Sequence, residues 1–436
     1  MTISATAGLL FGFDTGNIAG ALIYIEKTFH TSTLQNQVIV SSTVQGAFFG
    51  AITSGHFVRH FGCKLMLTLA GLLFMIGAMG GSLAQSVNEL IICRALLGVA
   101  IGISSFSAPL YISELAPAAH RGRLVLLNGV AITSGEALAF LLDYFLSSGD
   151  HWRIMILIGV APALVLLIGM FFMPESPRWL VSKHRIRDAE KVLTKIREED
   201  ILPELQQIIS AVNRPKIFFT SFLISKKYRK PIIIAVMLAI FQQFFGINTI
   251  MYYGPYLFKY AGFQSDSSQI LATFFIGMIN LVMTVVTLRY VDSWGRRNFL
   301  MTGSLLSAIS LLALVLIPDY WMGSVPFLVL GIMSLYIAGY CISVGSLFWL
   351  IISEIFPAHF RPMAMSLATA IHWMANFAVS MSFLSMLESM GPQKTFGCYA
   401  VICFLSFLFA YFIVPETKGK TLEAIEDDLY NPVVTS

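Results

Sequence analysis

Twelve runs of apolar sequence, each near the ~20 residues that an α-helix needs to cross bilayer hydrocarbon, constrain this chain more than any other feature. They fall at about 5–25, 37–58, 65–86, 89–112, 124–147, 153–173, 231–258, 266–290, 299–318, 325–356, 363–389 and 395–415. Barrel strands would alternate polar and apolar residues over ~10 positions. These stretches do not alternate, so the expected class is an all-α membrane protein of twelve transmembrane helices. A mean hydropathy of +0.76, with 12% charged residues over 436 positions, excludes an ordinary soluble domain. The first run carries no basic n-region and no cleavage site, so it reads as a span and not as a signal peptide. Met1 stands almost inside that run, which leaves room for a short cytoplasmic tail ahead of it.

Loop charge sets the orientation. Arg59, Lys64, Arg121, Arg123, Arg296, Arg297, Arg361, Lys418 and Lys420 gather in alternate loops, whereas the opposite loops hold isolated cations such as Lys27, Arg153, Lys259 and Lys394. By the positive-inside rule both termini are cytoplasmic, and the chain is expected to be a multi-pass protein of a cell membrane. The net charge of +4 therefore reports topology and not nucleic-acid binding. The longest loop, 174–230, also lies inside. Within it Ala189–Arg197 and Leu202–Ile209 space apolar residues at three to four, which predicts short amphipathic helices lying against the membrane face.

An internal repeat divides the chain. Tyr290–Leu300 answers Phe57–Leu67, Ile352-Ser-Glu-Ile-Phe-Pro answers Ile112-Ser-Glu-Leu-Ala-Pro, and Val414-Pro-Glu-Thr answers Met173-Pro-Glu-Ser, at offsets of 233–241 residues. The expected organisation is an N-terminal six-helix half (1–173), a cytoplasmic linker (174–230), a C-terminal six-helix half (231–415) and a cytoplasmic tail (416–436). Two parallel halves that rock about a midplane cavity give alternating access. An enzyme would need a reactive constellation, and none is legible. The histidines are scattered, no nucleotide loop or metal-spaced cluster stands out, and the five cysteines read as packing residues, so no cofactor or metal is expected.

Asp14 is the residue that most needs a role. It stands without a counter-charge in Gly8-Leu-Leu-Phe-Gly-Phe-Asp-Thr-Gly-Asn-Ile-Ala-Gly20. Ionisable groups at bilayer depth cost at least ~2.5–3.5 kcal/mol on insertion scales, and they usually pair or line a substrate or proton path. Arg94, near the outer end of the fourth span, is offset from it by ~9 Å at 1.5 Å per residue, which a long side chain and helix tilt can close. A partner lowers a carboxyl's proton affinity and desolvation raises it, so a conformational change that trades the two loads and releases a proton.

The motifs Gly12-Phe-Asp-Thr-Gly16, Arg94-Ala-Leu-Leu-Gly98, Pro174-Glu-Ser-Pro-Arg-Trp179, Gln242-Gln-Phe-Phe-Gly-Ile-Asn248, Asp292-Ser-Trp-Gly-Arg-Arg297 and Pro415-Glu-Thr-Lys-Gly419 together resemble the sugar porters of the major facilitator superfamily. The resemblance runs from the first helix to the tail. It implies transport of a monosaccharide or polyol, and it places Asp14 where bacterial proton-coupled symporters carry their proton-binding aspartate. The cargo implied is a sugar or polyol with a proton, and the location a bacterial inner membrane. A facilitative uniporter with the same site is the alternative. It further implies that Glu114, Arg121, Arg178, Arg296, Arg297, Glu354 and Arg361 form cytoplasmic charge networks.

Side-chain chemistry supports a sugar site independently. Amides match a rim of hydroxyls, each offering two donors and an acceptor, and an aromatic ring can lie against the C–H face. Gln242, Gln243, Asn248 and Asn280 supply amides, Trp349 and Trp373 supply rings, and Tyr252 belongs to the outer part of the seventh span. From Pro231 to Phe258 that span would measure ~42 Å as one helix, so a break at Gly246 is predicted, letting both groups converge beneath an outer gate. The chain departs from the resemblance at several positions. His60-Phe-Gly-Cys-Lys64 lacks the usual guanidiniums, and Lys64 lacks their bidentate fork. Gly129 follows Asn128 where an amide is common, Glu136 and His372 stand where glutamines are common, and Val344–Trp349 lacks prolines. Ordinary hexose specificity is therefore in doubt, and pentose, inositol or modified sugars come into range.

Overall fold

The computed structural model describes residues 2–116, 121–197, 201–212, 228–318, 323–356 and 361–418, apart from the side chains of 2–3, 121–126, 211–212, 292, 353 and 361–363. These residues are helical almost throughout, and eleven helical stretches are long and apolar enough to cross a membrane. The last of them, Ala364–Phe412, has 49 residues. At 1.5 Å per residue it would reach ~74 Å, more than twice the ~30 Å of hydrocarbon. Gly391, at φ +79°, turns the chain within it, so it is two spans and the total is twelve.

Contacts group the chain into two compact units. The first unit holds Met1–Asp14, Ser42–Gly135 and Arg153–Lys216. Its second and fourth spans, Thr33–Phe61 and Val87–Leu115, approach through Gly46, Gly50, Gly98 and Gly102. A Cβ on Gly98 would sit 2.0 Å from the Thr43 carbonyl oxygen and one on Gly46 2.1 Å from that of Ala95, so only glycine fits. Two G-x-x-x-G pairs thus supply the backbone contact that holds helices together where lipid removes the hydrophobic drive.

The linker folds as Pro177–Ser182, Ile186–Ile196 and Leu202–Val212. Its amphipathic helices form where the periodicity predicts them. Their apolar residues, however, pack on one another: Leu180, Val181, Ala189, Leu193, Leu205 and Ile208 make a small core of their own. Arg197 fastens this core to the fourth span, bonding the Leu115 carbonyl at 2.9 Å while gripping both Glu204 oxygens at 2.9 Å.

The second unit holds Thr15–Ser41, Glu136–Trp152 and Ile217–Ser436. The seventh span breaks where predicted, into Arg229–Phe244 and Ile247–Tyr260, with Gly246 left-handed at φ +90°. The groups freed there find partners, as they must in hydrocarbon. Tyr336 donates to the Phe245 carbonyl at 2.7 Å, and the Thr249 hydroxyl donates to that of Gly246 at 2.6 Å. The tenth span holds an irregularity that the absence of proline had concealed. It runs Pro326–Tyr340, then a π-helical turn Cys341–Gly345 with Ser343 at φ −108°, ψ −120°, then Ser346–Ile355.

Candidate functional site

In the first unit, Arg94 Nη1 donates to Asp14 Oδ1 at 2.6 Å, with the two side chains only 3% and 7% exposed. The long arginine closes the offset between the spans. Arg94 Nε has no partner among the described residues.

In the second unit, a chain of polar side chains links the broken seventh span to the eighth, tenth and eleventh. Gln242 Nε2 donates to the Gly345 carbonyl at 3.2 Å, which joins the Gly246 break to the π-helical turn. His372 sits between the glutamines, its Nδ1 2.8 Å from Gln242 Oε1 and 3.0 Å from Gln243 Nε2, so its tautomer decides which one it bonds. Asn248 Nδ2 donates to Gln243 Oε1 at 2.6 Å, which brings the inner and outer halves of the span together as the break requires. In the eighth span, Asn280 Nδ2 donates to Glu136 Oε2 at 2.9 Å while its Oδ1 accepts from the Cys341 thiol at 3.0 Å. Tyr340 lies beside both Gln242 and Glu136 and makes the two groups neighbours.

The remaining site residues separate by exposure. Trp349 keeps 37% of its surface open and packs near His372 at 5.8 Å between ring centroids, so it offers an accessible face. Trp373 is 2% exposed, and its ring is enclosed by protein. Tyr252 is buried too, its hydroxyl 3.4 Å from Asn376 Nδ2. Gly129 has nothing within 4 Å of where a Cβ would stand, so the missing amide leaves open space there.

Sequence reading passed over Tyr340 and Asn376 and took Cys341 for a packing residue, whereas the π-helical turn sets the Cys341 thiol against Asn280, and Asn376 meets the Tyr252 hydroxyl. It also passed over Asp143, fully buried beside the Gly20 backbone, with Oδ1 3.5 Å from Asn17 Nδ2. The signal for Asp143 was available, since it lies seven residues beyond Glu136 and hence on the same helix face.

The loop charges form a repeated arrangement within each unit. Glu416 accepts from the backbone N–H groups of Arg296 and Arg297 at 3.0 Å each, and Glu175 accepts from that of Lys64 at 3.3 Å. Each carboxylate thus caps a helix whose flanking glycine, Gly295 or Gly62, has no side chain to do so. Burial pushes the Glu175 carboxyl above its ordinary range, against the pull of the Ser176, Lys64 and Cys63 backbone donors and the Lys64 charge. Arg296 pairs with Glu354 at 2.8 Å, and Thr417 donates to the same carboxylate at 2.6 Å. Glu114 has the Ser176 hydroxyl and Arg178 beside it. Arg297 instead turns to the carbonyls of Ala410 and Tyr411. The side chains of Arg121 and Arg361 lie outside the described residues.

A twelve-span bundle with a buried ion pair, a broken span and a polar cluster defines a secondary transporter. The sequence profile described as "Sugar (and other) transporter" matches residues 1–429, and the chain belongs to this family of the major facilitator superfamily. It is similar to the galactose-proton symporter of Escherichia coli (strain K12), 36% identical over 98% of this chain and 93% of that one. It is also 36% identical, over the same shares, to the major myo-inositol transporter IolT of Bacillus subtilis (strain 168). Among solved structures it resembles a partially occluded inward-open conformation of the xylose transporter XylE from E. coli, with a TM-score of 0.84 and 31% identity over 96% of this chain and 98% of that one.

Proposed function

We propose that this chain is a proton-coupled symporter of a monosaccharide or polyol that works by alternating access, with Asp14 as the proton-binding carboxylate and Arg94 as its partner. The observation that carries the reading is the buried Asp14–Arg94 pair. A buried ion pair seldom adds to stability over an apolar one, and at bilayer depth ionisable pairs mark proton and substrate paths. Swinging Arg94 away raises the carboxyl's affinity for a proton, and its return expels that proton. Gln242, Gln243, Asn248, Asn280 and His372 supply the hydroxyl-matching rim, with Trp349 as the ring against the sugar face. Relatives named for galactose-proton symport and for transport of xylose and myo-inositol support this cargo class. The halves 1–173 and 231–415 are the proposed rocking bodies, with Arg296, Glu354, Glu114 and Arg178 as inner charges that favour one state. In proteoliposomes, labelled galactose, xylose and myo-inositol are offered with and without an imposed inward proton gradient. Accumulation above equilibrium that a protonophore collapses is the expected result; equilibration indifferent to the gradient identifies a facilitative uniporter.

A further inference from the structure

Glu136 sits in the polar cluster without a positive partner among the described residues. It is 6% exposed, and Asn280 is its only hydrogen-bond partner among the described residues, bonded to one oxygen and leaving the other to accept. The groups that face it from the eighth and tenth spans are the Asn280 amide, the Tyr340 hydroxyl and the Cys341 thiol, none of them cationic. In the first span, Gly16 lies against the Glu136 backbone and brings no side chain there. The other buried cluster residues are amides and an imidazole: Gln242 and Gln243 flank His372, and Asn280 bonds Glu136 and the Cys341 thiol. They already meet the needs of an uncharged hydroxyl rim.

A desolvated carboxylate among neutral groups is costly unless a cation joins it. Alone, such a carboxyl is relieved by a proton, and a bound molecule that carries its own cation can take that proton's place. We propose that the substrate of this site is a monosaccharide or polyol bearing a protonated amine, whose ammonium pairs with Glu136 while its hydroxyls take the amides. The inference rests on the sugar-transport reading above and narrows its substrate class. An ammonium brings three donors and a full charge to a carboxylate that otherwise accepts one neutral bond.

The test compares D-glucosamine and D-galactosamine with D-glucose and D-galactose on the full-length protein in detergent, at about pH 6, where an amine of ordinary basicity is protonated. N-acetyl-D-glucosamine, whose nitrogen carries no charge, is the control that needs no variant. At least one amine is expected to bind roughly tenfold or more tighter than its parent, acetylation should remove the gain, and Glu136→Gln should bring the amine-to-parent ratio near one. Thermal melting of the variant checks its folding, and the acetylated control decides if the variant does not fold. Parents that bind as well as the amines overturn the proposal and leave Glu136 as a carboxyl serving neutral sugars. Binding of none of these compounds overturns it together with the sugar-site reading beneath it.

Discussion

At the scale of single residues, Asp14 and Gln243 illustrate two kinds of buried polarity. Asp14 has a full charge opposite it, 2.6 Å away, whereas Gln243 is held by His372 and Asn248 in a chain of neutral bonds. Asn mimics a protonated aspartate without its charge change. Asp14→Asn is therefore expected to abolish gradient-driven accumulation while keeping sugar binding and counterflow exchange, measured on one preparation. If Asp14 only neutralises Arg94, folded yield and binding fall together, because the variant strands a buried cation. Full accumulation by Asp14→Asn would remove proton coupling from this carboxylate. For Gln243→Ala, one lost net hydrogen bond of ~0.5–1.5 kcal/mol predicts roughly two- to tenfold weaker sugar binding. Trp349→Ala should also weaken it, and Met333→Ala, a buried packing change in the tenth span, much less. Titration by tryptophan fluorescence or calorimetry ranks the three.

At the scale of elements, the seventh span works because it is not one helix. Its break lets Asn248 meet Gln243, and only glycine takes the left-handed turn without strain. Gly246→Ala forces an L-residue into φ +90° and brings a Cβ to 3.1 Å from the Tyr399 ring. The conformational cost alone is ~1–2 kcal/mol. The variant should melt at a lower temperature and bind sugar more weakly, both at once, because the break and the site share residues. A variant with wild-type melting and binding would mean that the turn relaxes freely and that the site does not depend on it. The helix-capping carboxylates Glu175 and Glu416 are a second device at this scale, a capped loop that occurs twice, with the two acids more than two hundred residues apart.

At the scale of the molecule, the ends of the first, second and fifth spans that loop charge assigns to the outside are fastened within the second unit. Lys27 pairs with Asp266 at 2.5 Å, Tyr256 donates to Glu26, Thr33 to Glu388, and Ser385 to Gln37 at 2.9 Å. Tyr24 adds a bond to the Ser147 carbonyl at 2.8 Å. The orientation is itself testable. A single reactive cysteine placed in the 174–230 loop of an otherwise cysteine-free protein should resist a membrane-impermeant maleimide in intact cells and react after lysis. Labelling before lysis inverts the topology.

Sequence alone determined the number of spans, the linker helices and the break at Gly246, and it set the expected orientation, because length in hydrocarbon, loop charge and glycine conformation act locally along the chain. It also singled out Asp14, since a carboxylate in a span is costly wherever the span packs. Tertiary structure decided the rest. Nothing in the spacing of Tyr340, Cys341 and Asn280 announces that a π-helical turn brings them beside Glu136, and no periodicity tells the accessible ring of Trp349 from the enclosed ring of Trp373. The apolar faces of the linker helices, suited in sequence to a membrane, found each other instead. Such outcomes depend on which distant groups compete for the same buried volume and the same hydrogen bonds, and that competition is settled only when the helices pack.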